Sequence, residues 1–337
     1  MKYLSLLIIF FSYISCLAQT NTPKVNKLVS EIAGYGKYTS KFTGGYPVNT
    51  PQWARFEQLK QLATDQDLIN FTDHPSPVVR CYAFQALSER KHSSTFAVLV
   101  KHLKDTITIH SIQGCLLKGQ LVSQFFLKNT SYLSYTKDQY RLSKKEKNEI
   151  DSLLILDPQI NPRLTKSMLG VISPKEQYYT NIKQLYLQDK SLRVLVALAS
   201  YQKESDKALI LEQLKTKGTF RDRWALLKVI KNYPAPEFFP YLRKLLPQSR
   251  KNKRLIPPLL FYTALVQYKT QESKELIQYV LKNSFKEDLE GHQGYIWLAI
   301  TKYPHPIYKA IKKSIKLDKE TKRDLLYEFE HTMYGIK

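Results

Sequence analysis

The chain has 337 residues, 43% of them hydrophobic, with only 11 glycines and 16 prolines. It therefore has enough apolar material to bury a core, and too little turn-forming material for an all-β design of many short strands. Basic residues outnumber acidic ones by 52 to 29, but 40 of the 52 are lysine and 12 arginine. Arginine is the usual bidentate reader of phosphates and bases, so this balance argues against a specific nucleic-acid partner and leaves anionic membranes or polysaccharides open.

The first residues have the layout of a secretory signal peptide: Met1-Lys2, an apolar run from Tyr3 to Ile14, then Ser15-Cys16-Leu17-Ala18-Gln19. The apolar run is too short for a membrane span, and no later segment is long and apolar enough for one. Cleavage after Ala18 would leave 51 basic against 29 acidic residues, +22. The chain is thus expected to be exported, periplasmic or extracellular, with a lipoprotein anchored through Cys16 as the alternative. Cys81 and Cys115 remain, either as buried thiols or as a bridge that an exported compartment permits.

A short helix is expected over Lys24–Ile32, followed by a Gly- and Tyr-rich loop from Gly34 to Pro51. Gly34-Tyr35-Gly36-Lys37 is not a phosphate loop, because Glu31 and Tyr38 stand where Gly and Ser or Thr are required. Residues 52–104 read as helices in quick succession: Trp53–Leu62, Asp67–Phe71, Pro77–Ser88 and Thr95–Leu103. Within them, Asp73-His74-Pro75-Ser76-Pro77-Val78-Val79-Arg80, followed by Ala83 and Ala86-Leu87, resembles the core of a HEAT repeat. The resemblance implies an α-solenoid of antiparallel helix pairs. It also implies structural roles for Asp73 and Arg80, in ladder-like polar contacts between successive repeats.

Residues 105–172 read as a degenerate repeat or insertion, irregular around 105–142. Ile112–Phe126 has the apolar content of a helix weakened by Gly114 and Gly119, and Asn129–Arg141 reads as a loop. Ser143-Lys144-Lys145-Glu146 is a capping box that restarts a helix.

Residues 173–337 are regular. Ser173-Pro174-Lys175-Glu176 reads as a second capping box. Tyr201, Tyr233, Tyr268 and Tyr303 then lie 32, 35 and 35 residues apart, each closing one apolar helical run and preceding another. Recurrence at this period marks stacked helix pairs. The expected pairs are Leu192–Tyr201 with Asp206–Lys215, Phe220–Tyr233 with Glu237–Leu246, Pro257–Tyr268 with Glu272–Lys282, and Gly294–Tyr303 with Ile307–Ile315. A last helix from Lys319 to about Met333 caps them. Each marker tyrosine is expected to pack its ring at the turn with its hydroxyl in water. A ligand-stacking aromatic ladder is the alternative.

No catalytic, cofactor or metal pattern stands out. The seven histidines form no His-x₃-His or His-Glu-x-x-His spacing, and Gly-x-Ser-x-Gly is absent. The basic clusters are the candidate functional groups: Arg243-Lys244 with Arg250, Lys251, Lys253 and Arg254 around one connection, and Lys309, Lys312, Lys313 and Lys316 on one helical face. Aromatic residues do not interleave with these lysines in a way that suits stacking on bases. The solenoid resemblance implies a non-enzymatic scaffold that binds a protein or peptide on its concave face, without a cofactor. The alternatives are a binder of anionic lipid or polysaccharide and a HEAT-like DNA glycosylase, the latter disfavoured by the export signal.

Overall fold

The structure, a computed structural model, describes residues 22–43, 46–47, 49–113, 116–133, 137–216, 218–251, 258–284 and 286–331. Segment 1–18, expected to be a signal peptide, and Cys16, Cys115, Lys253 and Arg254 lie outside the described residues. The protein is mostly helical, with a few short strands. No described helix is long and apolar enough to cross a membrane. The chain forms two compact units, Met1–Thr165 and Lys166–Lys337.

Unit 1 contains helices α1 (Thr22–Tyr35), α2 (Pro51–Leu62), α3 (Asp65–Phe71), α4 (Pro77–Glu89), α5 (Thr95–Lys101), α6 (Val122–Lys128) and α7 (Lys144–Leu156). Its strands are β1 (Tyr38–Thr39), β2 (Phe42–Thr43), β3 (Tyr46–Pro47), β4 (Thr108–Gln113) and β5 (Leu116–Leu121). Helix α4 is the hub. Pro77 opens it where a missing N–H costs nothing, every residue from Val78 to Ser88 is buried, and α1, α2, α3, α5, α6 and β4 all pack on it. Its Tyr82 stacks on Phe56 with ring centres 5.0 Å apart and exchanges hydrogen bonds with the Thr39 backbone, accepting from N–H at 3.0 Å and donating to C=O at 2.8 Å. Burial pushes the Tyr82 phenol up to about 12. Cys81, on the same helix, is a fully buried free thiol.

Two expectations fail in unit 1. The expected helix over Ile112–Phe126 is instead an antiparallel β4–β5 hairpin leading into α6, with Thr108 opposite Leu121 and Gln113 opposite Leu116. β-Branched Thr108, Ile109 and Ile112 suit a strand, and Gly119 sits where a Cβ would press on Thr108 at 3.3 Å. The expected loop from Gly34 to Pro51 contains β1, which adds to β4 in parallel, and the β2–β3 ribbon. The unit is therefore not purely α. The Ser143–Glu146 capping box forms as expected at the start of α7.

Asp73 and Arg80 both reach the end of α5. The Asp73 carboxylate meets Lys101 Nζ at 2.5 Å and His102 Nε2 at 3.2 Å. Arg80 is nearly buried. Its Nε meets Asp105 Oδ2 at 2.9 Å, and one Nη donates to the His74 and Pro75 carbonyls at 2.8 and 3.1 Å. Those carbonyls belong to a turn in which Pro75 and Pro77 remove backbone donors, so Arg80 satisfies what the turn cannot. Burial alone would raise the Asp105 carboxyl. Hydrogen bonds from His102 and the Ile107 N–H, together with the Arg80 charge, hold it below its ordinary value instead.

Unit 2 contains α9 (Tyr179–Asp189), α10 (Leu192–Ala199), α11 (Lys207–Leu214), α12 (Phe220–Asn232), α13 (Phe239–Lys251), α14 (Pro258–Val266), α15 (Gln271–Asn283), α16 (Lys286–Lys302), α17 (Lys309–Ser314) and α18 (Lys319–His331). Helix α8 (Pro162–Met168) spans the division between the units. The helices contact one another in a regular order. α9 packs on α10, and then α10, α12, α14, α16 and α18 each pack on the next in that series. Helix α14, in the middle, is apolar all round, and Leu259 to Val266 are all buried, as expected for a helix covered on every side.

The second helix of a pair usually begins with a 3₁₀ turn: Glu176–Tyr178, Glu204–Asp206, Pro236–Phe238 and Pro306–Tyr308. The expected capping box at Ser173–Glu176 is therefore absent. Lys175, not Ser173, flanks the turn, and Glu176 pairs with Lys203 at 2.7 Å. The last residue of each turn, Tyr178, Asp206, Phe238 and Tyr308, is at most 1% exposed, and Ser273 takes the equivalent place at the start of α15 with 0%. The tyrosine hydroxyl of Tyr308 fills the space beside Ser273, 2.6 Å from Ser273 Oγ, and accepts from the Lys269 N–H at 3.1 Å. Asp206, the charged exception, lies 2.8 Å from Lys183 Nζ and accepts from the Tyr179 hydroxyl at 3.0 Å.

Ion pairs between neighbouring pairs recur at about one repeat's separation: Glu176–Lys203, Lys207–Glu237 and Arg243–Glu272, at 2.7, 2.8 and 2.6 Å. Pairs this exposed contribute no more than about 1 kcal/mol each. They align neighbours more than they hold them together.

Replacing Arg80 by Ala strands the Asp105 carboxylate and two carbonyls, and is expected to cost about 3 kcal/mol. Asp73→Asn, at an exposed pair, is expected to cost under about 1 kcal/mol. Urea unfolding of the two variants checks the ranking, and equal losses would contradict it.

Candidate anion-binding cleft

The basic clusters separate in the structure. Arg243 lies on α13, pairs with Glu272 and holds its guanidinium 5.8 Å from the centre of the Phe239 ring, so it serves packing between neighbours. Lys244 is an exposed residue of the same helix. Helix α13 runs on to Lys251, so Arg250 and Lys251 belong to its last turn and not to a connection.

Lys309, Lys312, Lys313 and Lys316, by contrast, line one open cleft of about 730 Å³ together with Trp297, Ile315, Leu317, Asp318 and Lys322. Lys316 is not on the expected helix. α17 stops at Ser314, where Ile315 turns inward and is buried, leaving Lys316 in the link to α18. Three different segments therefore supply the lysines: α17, the link and the first turns of α18.

Trp297 supplies the floor. It lies on α16, packed against the buried cluster of Leu259, Leu298 and Phe329. The ammonium groups of Lys312 and Lys322 each stand 5.8 Å from its ring centre. The contact of Trp297 with Lys312 and Lys322 lies outside what the sequence spacing showed. Trp297 precedes Lys312 by 15 residues and Lys322 by 25, and only the packing of α17 and α18 on α16 unites them. Gly294 permits the close approach of α18: a Cβ there would meet Leu325 Cδ1 at 3.2 Å.

The cleft is strongly positive, with five lysines against one aspartate, a net charge of +4. Asp318 offsets one of the five charges and no more. Its carboxylate accepts from the Thr321 hydroxyl and N–H at 2.6 and 2.7 Å, capping α18, and those bonds hold it below its ordinary value. Among the described residues, none of the five lysines forms an ion pair with a carboxylate. Like charges gathered without compensation repel one another. An incoming anion relieves that repulsion.

The marker tyrosines have structural surroundings. Tyr201 meets Tyr179 edge-on at 5.5 Å, Tyr233 meets Phe238 at 5.6 Å and Tyr268 meets Phe239 at 4.9 Å. Their hydroxyls are not all in water as expected. Tyr268 donates to the Ala235 carbonyl at 3.1 Å, and the Tyr201 oxygen is buried, so burial raises both phenols. Two of the turns that follow, at Gln202 and Lys269, adopt left-handed backbone with φ of 50° and 56°. The other two carry Pro234 and Pro304 instead.

Tyr303 sits under the ammonium of Lys231, 5.9 Å from its ring centre. Burial and the Lys228 charge lower Lys231 to about 8.

Comparison with known protein families, curated proteins and solved structures finds no match.

Lys231 is held below its unfolded value of about 10.4. Between about pH 8 and 10.4 the unfolded chain binds more protons, so stability rises with pH through that window and is lost as pH falls through 8. Lys231→Met is expected to flatten the rise in urea midpoints between these pH values. An unchanged slope would contradict the assignment.

Proposed function

We propose that the protein is an exported, non-enzymatic scaffold whose second unit is a HEAT-like α-solenoid, and that it holds an anionic partner in the lysine cleft. The serial packing of α10, α12, α14, α16 and α18 supports the solenoid, because no single helix pair covers its own apolar face. The 3₁₀ turns that open four of the second helices and the recurring ion pairs support it further. The Asp73–Arg80 motif carries the HEAT resemblance in the first unit.

The observation that carries the binding function is the cleft itself: five lysines, none paired with a carboxylate among the described residues, around one tryptophan. Sequence reasoning puts a protein or peptide partner on a concave face first and an anionic partner second. The cleft favours the anionic partner.

Inorganic polyphosphate serves as a simple multivalent probe. The full-length protein is expected to bind it at low salt. Affinity is expected to fall about a hundredfold between roughly 50 and 200 mM salt, as displacement of about four counterions requires. Lys312→Glu with Lys313→Glu is expected to weaken binding and flatten that dependence. Binding indifferent to both salt and the substitutions would contradict the proposal.

A further inference from the structure

Resting on the anionic-partner function, we infer that the occupant of the cleft is a sulfated or phosphorylated saccharide chain. Three features of the cleft select this class over other polyanions.

The first is the kind of cation. All five lining cations are lysine and none is arginine. The guanidinium fork matches carboxylate and phosphate alike in a fixed bidentate geometry, whereas ammonium groups are compact point charges with three rotatable donors. Five such charges on three segments suit several anionic groups spread over one rigid frame.

The second is the floor. Trp297 is half-buried and packs against the buried cluster of Leu259, Leu298 and Phe329, so the core supports the indole. The two ammonium groups stand over its ring, 5.8 Å from the centre, so anionic substituents bound to them lie close to the indole. A sugar ring combines these needs in one rigid unit, with charged groups fixed to its rim and C–H bonds on its face. An acidic side chain holds its charge on a flexible stem and has no such face.

The third is the relief. Binding at a bilayer surface requires apolar residues that project beyond the basic ones. Here the order is reversed: Lys309, Lys313 and Lys316 are exposed, while Ile315 is buried and Trp297 lies deeper. A chain laid in the cleft reaches both layers. The export expected from the N-terminal sequence points away from nucleic acid, the remaining polymer with both rings and phosphates.

The test is a titration of the full-length protein with a heparin hexasaccharide, followed by calorimetry and by the indole N–H resonance of Trp297. Parallel titrations use the desulfated hexasaccharide, a hexaglutamate peptide, a thymidine hexanucleotide, and vesicles of phosphatidylglycerol in phosphatidylcholine. Heparin is expected to bind most tightly and to shift the Trp297 resonance, with the desulfated sugar at least about tenfold weaker. Lys312→Gln with Lys322→Gln is expected to weaken heparin binding by about tenfold or more. Lys309→Gln with Lys313→Gln, at exposed positions that leave packing untouched, is expected to act in the same direction.

Tighter binding of the peptide, the oligonucleotide or the vesicles at Trp297 would overturn the saccharide assignment while leaving the anionic-partner function standing. Heparin binding that ignores both double substitutions would overturn it as well. If none of these polyanions nor polyphosphate binds, the anionic-partner function itself falls.

Discussion

The second unit depends on one constraint: its long helices cover their apolar sides only by lying against one another in series. Leu226, Leu227 and Ile230 of α12 and Ile296 and Leu298 of α16 are all buried, and both helices pack on the next helices in the series. Helix α14 shows the consequence most plainly, since it exposes no polar face at all. The entry of each second helix serves the same end. A tight 3₁₀ turn drives its last side chain inward, and that buried position is filled by Tyr, Phe, Asp or Ser according to what its neighbour supplies. Where the residue is small, as at Ser273, the hydroxyl of Tyr308 from the next turn occupies the space.

The cleft follows from that packing. Helix α16 presents Trp297 beside the last helices, and α18 lies close to it because Gly294 has no side chain to hold it off. A short α17 and a link that buries Ile315 turn Lys309, Lys312, Lys313 and Lys316 toward the indole. The core cluster of Leu259, Leu298 and Phe329 thus packs against both α18 and the indole at the floor of the cleft. The lysines add no stability there. Uncompensated positive charge on neighbouring lysines is unfavourable on its own.

Much of the second unit was legible in the sequence because its signal is periodic. Four tyrosines at near-equal intervals and apolar runs between Pro-containing breaks located most helices to within a few residues; α16 begins at Lys286, well before the expected Gly294, and α13 runs past Leu246 to Lys251. The 3₁₀ turns were not legible, since Glu176, Glu204 and Pro236 look like ordinary helix starts until their hydrogen bonds are known. In the first unit, Ile112 to Phe126 misled because a short apolar run carries no period that separates helix from strand. Its strand character depends on partners at Tyr38–Thr39, over 70 residues earlier.

The lysines of the cleft were visible as a row on one helical face. Trp297 and Lys322 were not visible as their partners. Trp297 reads as one more apolar residue in a repeat core, and its role arises from tertiary contact alone. Arg243 shows the opposite error: a basic residue in a charged stretch, it is engaged by Glu272 in a contact that no local pattern reveals.

The central claim is that the helices of the second unit share a core that needs nothing outside residues 166–337. Urea unfolding of that fragment, followed by far-ultraviolet circular dichroism, tests it most directly. A helical fragment that unfolds in a single cooperative transition is the predicted result. A fragment without helical structure, or one that melts gradually without a transition, would contradict the account.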